Sequence, residues 1–264
     1  MESDHLFTDS DFAWSIRMRR KPREEFFAPQ DESGEVLEQR RQLLNSRPDL
    51  YTATTETGKR LLLECWDLAE KWGQLSDPRK TPGFVSLGCQ WEADFILMDA
   101  ESTDLVGACV CFPSSWNLQK SVGVSLFEVH GRVPGLNETI GDKIKTFLER
   151  MPPEQAFFRE NWGLTRTAEL NYHPELKRSP LDSMIDKHSI FLRIEHQAIV
   201  KLPSGILLGV RIEPVGFPDL VERSPGTARN LLRKLETMPP EVASYKSLDR
   251  GIEGAQVILR DLLG

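Results

Sequence analysis

Two long runs of strand-forming residues separated by a tight turn constrain the fold of this chain more than any other feature. Residues 190–202 read IFLRIEHQAIVKL and residues 206–214 read ILLGVRIEP, with Pro203, Ser204 and Gly205 between them. Alternation of apolar and polar residues is typical of half-buried strands, and a short loop that ends in glycine joins two such strands as a hairpin. The sequence therefore predicts a long antiparallel pair.

A second hairpin is predicted earlier in the chain. Residues 85–92 indicate a short helix or turn, residues 93–98 form an apolar strand, and residues 105–112 read LVGACVCF. The last of these runs is apolar on both faces, which is typical of a strand in the centre of a sheet. Residues 155–164 add a further strand, so the sequence predicts about five antiparallel strands.

Helices are predicted on both sides of these strands. Residues 55–72 place apolar side chains at i, i+3, i+4 and i+7, behind a threonine that can cap the helix. The other predicted helices cover residues 35–45, 137–150, 218–223, 226–237, 239–247 and 250–263. An antiparallel sheet with flanking N-terminal and C-terminal helices is an α+β domain. We expect residues 1–32 to be an extended arm and residues 33–264 to be a single domain.

Composition limits the partners that the chain can bind. The 264 residues carry a formal net charge of −7, which argues against nucleic acid or an anionic membrane as the main partner. The basic run at residues 17–21 is short and is predicted to be a solvated segment. No apolar run approaches the ~18 to 20 residues of a membrane span. The acidic N-terminal segment lacks a signal-peptide core, and the four cysteines form no CxxC pair, so we expect a cytoplasmic location.

The common catalytic signatures of nucleotide-binding loops, zinc proteases and serine hydrolases do not occur in the sequence. Cys109 and Cys111 lie two residues apart on a predicted strand and share one face. They are either a pair of soft metal ligands or, as is commoner for free cysteine, small residues of the core.

A histidine between an apolar stripe and a turn is the first candidate for a functional residue. His130 follows the stripe at residues 118–129 and lies within FEVHGRVPG at residues 127–135. A histidine at a helix C-terminus is stabilised in its charged form by the helix dipole. Histidine is also the commonest ligand of a metal or heme iron. Spacing alone leaves both interpretations open, while His173 precedes a proline in a polar loop and is predicted at the surface.

Polar residues on predicted strands give two further candidate sites. Arg193, Glu195 and Gln197 share one face of their strand, which is either exposed to solvent or lines a polar pocket. The second stretch, FRENW, lies at residues 158–162.

Several motifs occur in an order that resembles a known family. They are VCFPSSW at residues 110–116, the spacing of Lys120 and Gly123, H-x-x-VPG from His130, N-W-x-L from Asn161, and FLRxExQ from Phe191. This order resembles that of the heme-dependent oxidative N-demethylase alpha-subunit-like proteins, over roughly residues 10–250. Relatives commonly have arginine at the position of His196. This difference affects which substrate the chain would use and whether it would be catalytically competent.

The resemblance implies a PAS-like antiparallel sheet with helices packed around heme b. It also implies a heme-dependent monooxygenase that uses O2 to demethylate a small methylated amine such as dimethylamine. Electrons would come from a separate reductase with flavin and iron–sulfur centres, since this chain carries no motif for them. The alternatives are a PAS-like heme sensor or carrier without turnover, and a heme-free relative that binds another small molecule.

The resemblance also suggests roles for individual residues. His130 is expected to bind the heme iron, with His188 and His196 as alternatives, and to need a partner for its other ring nitrogen. Glu195 is expected to contact the alkylammonium substrate, because a buried positive charge needs a carboxylate. The remaining expected contacts are with the cofactor: Trp116 and Trp162 against the porphyrin, and Arg132, Arg193 and Lys120 with the propionates.

Overall fold

An antiparallel sheet forms the framework of the protein. The computed structural model describes residues 6–22, 24–153 and 155–264. The strands are β1 (Arg19–Lys21), β2 (Thr52–Thr54), β3 (Asp94–Asp99), β4 (Leu105–Cys109), β5 (Ala156–Thr165), β6 (Phe191–Lys201) and β7 (Gly205–Gly216). They form one seven-stranded sheet in the order β1-β5-β6-β7-β3-β4-β2. The predicted α+β class and the antiparallel sheet are confirmed.

Helices precede, interrupt and follow the strands. The α-helices are α1 (Glu35–Ser46), α2 (Pro48–Tyr51), α3 (Glu56–Lys71), α4 (Phe84–Gly88), α5 (Leu126–His130), α6 (Asp142–Arg150), α7 (Phe217–Arg223), α8 (Pro225–Glu236), α9 (Pro240–Tyr245) and α10 (Ile252–Leu263). Thr55 caps α3 by accepting a hydrogen bond from the Gly58 N–H at 3.1 Å, as predicted. Within the described ranges no helix has the length and apolar character of a membrane span.

The two predicted hairpins are present. β6 and β7 pair from Phe191 opposite Gly216 to Lys201 opposite Ile206, so the hairpin extends along the whole of β6. β4 pairs with β3 and is buried throughout, as the apolar run indicated. The edge strands β1 and β2 have three residues each and were not predicted, because so short a strand shows no alternation.

Three apolar clusters surround the sheet. Phe95 and Leu97 of β3 pack with α3 and α4 on one face, while Ile96 and Met98 pack with α6 on the other. A third cluster joins Leu192 of β6 to the C-terminal helices. The middle of β5 and β6 lies between these clusters and is only half buried. Polar side chains can therefore occupy this part of the sheet.

The apolar stripe at residues 118–129 does not form one helix. A short 3-10 turn covers Leu118–Lys120, and α5 begins only at Leu126. Gly123 lies between them with φ at +87°, a left-handed conformation that ends a right-handed helix and that glycine adopts without strain. The break shortens α5 to its last turns, and His130 is its final residue.

The residues before α1 cover the sheet with aromatic side chains. Phe26 and Phe27 are buried in the apolar cluster of the N-terminal helices, and β1 pairs with β5. The division into an arm at residues 1–32 and a domain at residues 33–264 stays a prediction.

Candidate functional site

Buried charged groups fix the segment CFPSSW from the side of β3. The Asp94 carboxylate accepts the N–H of Cys111 at 2.7 Å and of Phe112 at 2.9 Å. Arg40 of α1 forms an ion pair with Asp94, and the side chains of both partners are at most 2% exposed. A buried charge of either sign is costly alone, so the pair and the two backbone donors stabilise one conformation of the segment.

Arg193 holds the same segment from the side of β6. Its side chain is 2% exposed and donates to Ser114 Oγ at 2.9 Å, Phe112 O at 2.9 Å, Leu170 O at 2.8 Å and Glu169 O at 3.3 Å. Nearly all donors of the guanidinium are therefore used by the protein itself. Arg193 positions the segment, and its contact with a propionate stays a prediction.

His130 lies at the C-terminus of a helix that has an ordinary N-cap. Ser125 Oγ accepts the N–H of Glu128 at 3.2 Å, which starts α5 one turn before the histidine. The carbonyl of His130 then accepts the N–H of Val133 at 2.9 Å and begins the turn of the VPG motif. The sequence places the histidine where a helix ends and a tight turn leads the chain away.

Two side chains from outside the motif fix this turn. Trp14 donates its indole N–H to the carbonyl of Pro134 at 2.8 Å, and Asn137 donates to the carbonyl of Phe127 at 2.7 Å. The side chain of Asn137 is therefore used by the preceding helix and does not cap the helical segment that follows it. The backbone on both sides of His130 is anchored by these two bonds.

The imidazole of His130 is neutral near pH 7. Burial, with a smaller contribution from the positive charge of Arg159, lowers the pKa of His130 to about 4. Its Nδ1 atom is buried and has no hydrogen-bond partner among the described residues. This environment disfavours the charged form of the histidine that would stabilise the helix C-terminus. A neutral imidazole is instead the form that binds a metal.

A polar patch of the sheet lies close enough to act on this histidine. Arg159 and Asn161 of β5 are opposite Gln197 and Glu195 of β6, so the four side chains share one face. Glu195 Oε2 accepts from Asn161 Nδ2 at 3.0 Å and from Gln197 Nε2 at 3.3 Å. All four residues are half buried, so this strand face is neither fully exposed to solvent nor part of the apolar core.

Lys246, directly after α9, contributes a second cation to this region. Its ammonium group donates to the carbonyl of Trp162 at 2.7 Å and lies 4.9 Å from the Trp162 ring centre and 5.9 Å from that of Trp14. Burial lowers the pKa of Lys246 to about 8, with Glu195 acting in the opposite direction and Arg159 in the same direction. Lys246 therefore lies near the charges of both strands, and Trp14 connects it to the turn after His130.

The guanidinium of Arg159 is incompletely paired within the described part of the chain. No hydrogen bond or ion pair joins its guanidinium to the described residues. Burial lowers its pKa, and the charges of Glu195 and Glu160 only partly oppose that effect. A cation in this state is costly for a folded protein unless a ligand offsets the charge.

Two more side chains border the site. Tyr245 is 49% exposed, and its partial burial raises its pKa, with Glu195 acting in the same direction and Arg132 in the opposite one. Arg132 itself is exposed two residues after His130. Sequence reasoning missed Tyr245, which comes from the last third of the chain and belongs to no motif.

The other predicted cofactor contacts stay predictions. Trp162 is half buried and packs edge-to-face on Phe7 with ring centres 5.1 Å apart. Trp116 is half buried against the apolar cluster of α6, and Lys120 is exposed on its 3-10 turn. Trp116 packs in the same apolar cluster as Phe127 and Val129, and no hydrogen bond or ring contact in the described ranges joins Trp116 or Lys120 to His130.

Among the remaining described histidines, His173 shares one feature with His130, because its Nε2 is also buried without a hydrogen-bond partner in the described ranges. His188 is exposed. His196 lies on the opposite face of β6 from Glu195 and places Nε2 2.8 Å from a carboxylate oxygen of Glu213. The prediction of His173 at the surface is wrong, because His173 is 2% exposed and its Nδ1 accepts the N–H of Glu175 at 3.2 Å.

The paired cysteines belong to the core. Cys109 and Cys111 are both fully buried in the apolar cluster of the N-terminal helices. The described part of the chain contains no group of three His, Cys, Asp or Glu side chains placed to hold a metal ion.

Comparison with known families gives one match, to a family described as "Haem-dependent oxidative N-demethylase, alpha subunit-like", over residues 8–253. This range includes every residue of the site described above. A comparison with curated proteins gives no match.

Proposed function

The chain belongs to the heme-dependent oxidative N-demethylase alpha-subunit-like family, and from this premise we propose that it is a heme-dependent oxygenase subunit. Its reaction is the oxidative removal of a methyl group from a small methylated amine with O2. One observation carries the proposal: His130 is half buried, and its buried Nδ1 has no hydrogen-bond partner among the described residues. The sheet face beside it carries the carboxylate of Glu195 and the incompletely paired cation of Arg159.

The residues around His130 fit a heme group. The neutral ring can donate a nitrogen to iron, and the unpartnered buried Nδ1 means that the described residues leave its bonding capacity unused. Arg132, close to the histidine and exposed, is free to meet a propionate. When bound, heme b supplies the binding and activation of O2. His130 is the residue that would hold it.

Glu195 is the residue that would bind the amine. Both amide donors, Asn161 and Gln197, use its Oε2, so Oε1 accepts no hydrogen bond from the described residues. A carboxylate oriented in this way can accept an N–H from an alkylammonium ion and offset its charge. The two amides keep the carboxylate directed along the strand face, and the half-buried surroundings exclude most water.

The sheet order supports a PAS-like fold. The five longer strands run in the order β4-β3-β7-β6-β5, so the first hairpin joins the last three strands through the pair β3 and β7. Helices α5 and α6 lie in the connection between the two halves, where a PAS-like domain carries its ligand-binding helices.

The supply of electrons calls for a partner. The sequence has no motif for flavin, NADPH or an iron–sulfur cluster, and the family description names an alpha subunit. We therefore include a flavin and iron–sulfur reductase subunit in the proposal, together with a cytoplasmic location. A heme sensor without turnover is the second candidate, because the same His130 site could hold heme without a reductase.

Absorption spectroscopy tests the heme assignment. The purified chain, reconstituted with heme b, is expected to show a Soret band, and His130→Ala is expected to change the ferrous spectrum. His188→Ala removes an exposed histidine and serves as the matched control. The absence of a Soret band after reconstitution would refute the heme proposal, and an unchanged ferrous spectrum in His130→Ala would refute the ligand assignment.

Turnover separates the enzyme from the sensor. With O2 and a flavin and iron–sulfur reductase, amine-dependent formaldehyde is expected from at least one member of a panel of methylamines. A heme-loaded chain that releases none with any member favours the sensor.

A further inference from the structure

Several buried or half-buried cations near the sheet differ in how their donors are used. Arg40 and Arg193 have their donors used by protein acceptors, and Arg211 donates to Glu92 at 2.6 Å and to two backbone carbonyls. Arg159 has no partner among the described residues, and Lys246 bonds only a neutral carbonyl. The two incompletely paired cations lie in the same part of the molecule.

Their placement follows from strand register and from one hydrogen bond. Arg159 precedes Asn161 by two positions, so both point to the same face of β5. Lys246 reaches the carbonyl of Trp162, the residue after Asn161. The ammonium and the guanidinium therefore approach one short stretch of β5, the first from α9 and the second from the strand itself.

Glu195 is close to both cations without neutralising either. No ion pair within 4.0 Å joins it to Arg159 or Lys246 in the described ranges, and its Oε2 is held by two neutral amides. The arrangement keeps one carboxylate and two cations apart inside one half-buried region. A ligand that offers an anionic group to the cations would remove the cost of their incomplete pairing.

We propose that Arg159 and Lys246 together bind a carboxylate group of a ligand. A guanidinium forms two parallel hydrogen bonds with a carboxylate, and an ammonium adds a compact charge from the side. With Glu195 beside them, the site suits a zwitterion whose amine meets Glu195 and whose carboxylate meets the two cations. The substrate class is then an N-methylated amino acid, an assignment that rests on the proposed function; the carboxylate binding does not.

A heme propionate is the other source of the same chemistry, and the test distinguishes the two. Calorimetric titration of the heme-free and the heme-loaded chain compares N,N-dimethylglycine with dimethylamine, which differ by the carboxylate. A second titration compares heme with its dimethyl ester, in which both propionates are neutral.

The expected result is tighter binding of N,N-dimethylglycine than of dimethylamine, with a loss of about 10- to 100-fold in Arg159→Gln and in Lys246→Gln. Dimethylamine binding should change much less. Arg166→Gln is the control, because it removes an equal charge from an arginine already paired with Asp182 at 2.8 Å. If the propionate is the bound group, the two variants weaken binding of heme but not of its ester, and N,N-dimethylglycine shows no preference.

The proposal is overturned if neither variant weakens any of the carboxylate ligands more than Arg166→Gln does. Circular dichroism checks folding, and Arg159→Lys is the second variant, since it keeps the charge and loses the paired hydrogen bonds. An intermediate loss is expected for it, and unchanged affinity counts against the proposal. A chain that binds no heme yet prefers N,N-dimethylglycine would refute the proposed function and leave this inference standing. A chain that binds heme but prefers neither N,N-dimethylglycine over dimethylamine nor heme over its dimethyl ester would refute this inference and leave the proposed function standing.

Discussion

Buried positive charge is handled in opposite ways behind the CFPSSW segment and beside His130. Behind the segment, Arg40 is paired with Asp94, and Arg193 donates to four acceptors of the protein. Beside His130, Arg159 has no partner in the described ranges. The first arrangement is complete without a ligand and fixes a backbone conformation. The second is incomplete, which is how a binding site differs from a structural charge network.

The largest expected effect is on the paired side of this comparison. Asp94→Ala leaves Arg40 buried without its counterion and removes the acceptor of two backbone N–H groups. We expect the free energy of unfolding to fall by about 3–5 kcal/mol, measured by urea denaturation. Asp182→Ala, at a more exposed ion pair, is the control, with an expected change below ~1 kcal/mol. Similar changes in both variants would contradict the structural role.

The second largest loss of unfolding free energy is expected when Arg193 is replaced. Arg193→Gln removes donors from three backbone carbonyls and a hydroxyl in a region where water cannot replace all of them. The expected loss in unfolding free energy is about 2–4 kcal/mol, again from urea denaturation. A variant that keeps wild-type stability but binds heme poorly would instead support the cofactor contact first predicted for this arginine.

On the unpaired side, His130 should make stability depend on pH. Its folded pKa of about 4 lies below the ordinary value of 6.5, so between these values the unfolded chain binds a proton that the folded chain does not. The free energy of unfolding that depends on a neutral His130 is therefore fully present above pH 6.5 and is lost as the pH falls towards 4. The wild type should lose ~2 kcal/mol more than His130→Ala between pH 7 and 4.5. Parallel stability curves for the two proteins would contradict the burial of this imidazole.

Lys246 should make ligand binding depend on pH in the alkaline range. Because its folded pKa is about 8, the ammonium loses its proton as the pH rises through that value. Binding of a carboxylate ligand should then weaken by up to tenfold per pH unit, about 1.4 kcal/mol, and calorimetry at pH 7, 8 and 9 measures it. In Lys246→Gln this dependence should disappear. Its persistence would assign the titration to another group.

The smallest expected change is in the stability of an Arg159 variant. Arg159→Leu removes an unpaired buried charge and no hydrogen bond with the described residues. The free energy of unfolding should stay within ~1 kcal/mol of the wild type or increase. Thermal denaturation of the heme-free chain measures it. A loss as large as that of Asp94→Ala would place Arg159 with the structural arginines and remove the contrast between the two regions.

Local sequence patterns were sufficient to predict the long strands and helices. The hairpin of β6 and β7 and the helices after Phe217 were predicted because alternation or helical spacing persists over many residues. The edge strands β1 and β2 were not, since their pairing comes from neighbours distant in sequence. The break within the apolar stripe at residues 118–129 was not predicted, because the left-handed conformation of Gly123 leaves no periodic pattern in the sequence.

The site was predictable only where a motif marked it. His130 and Glu195 lie in motifs, whereas Lys246 reaches β5 only through the packing of α9, which no local spacing encodes. His173 shows the same limit, because its polar loop is covered by Tyr51, whose ring centre lies 5.8 Å away. Arg159 was inside a candidate stretch, but its lack of a partner is a property of the folded surroundings alone.

Trp14 has a consequence for the order in which the protein is made. Its indole donates a hydrogen bond to Pro134 beside the histidine, and Lys246 lies 5.9 Å from the same ring, so residues far apart in the sequence meet at the site. On the ribosome, His130 emerges more than a hundred residues before Lys246. A nascent chain therefore contains the histidine before the second cation is made, and the full set of site residues exists only after Lys246 has emerged.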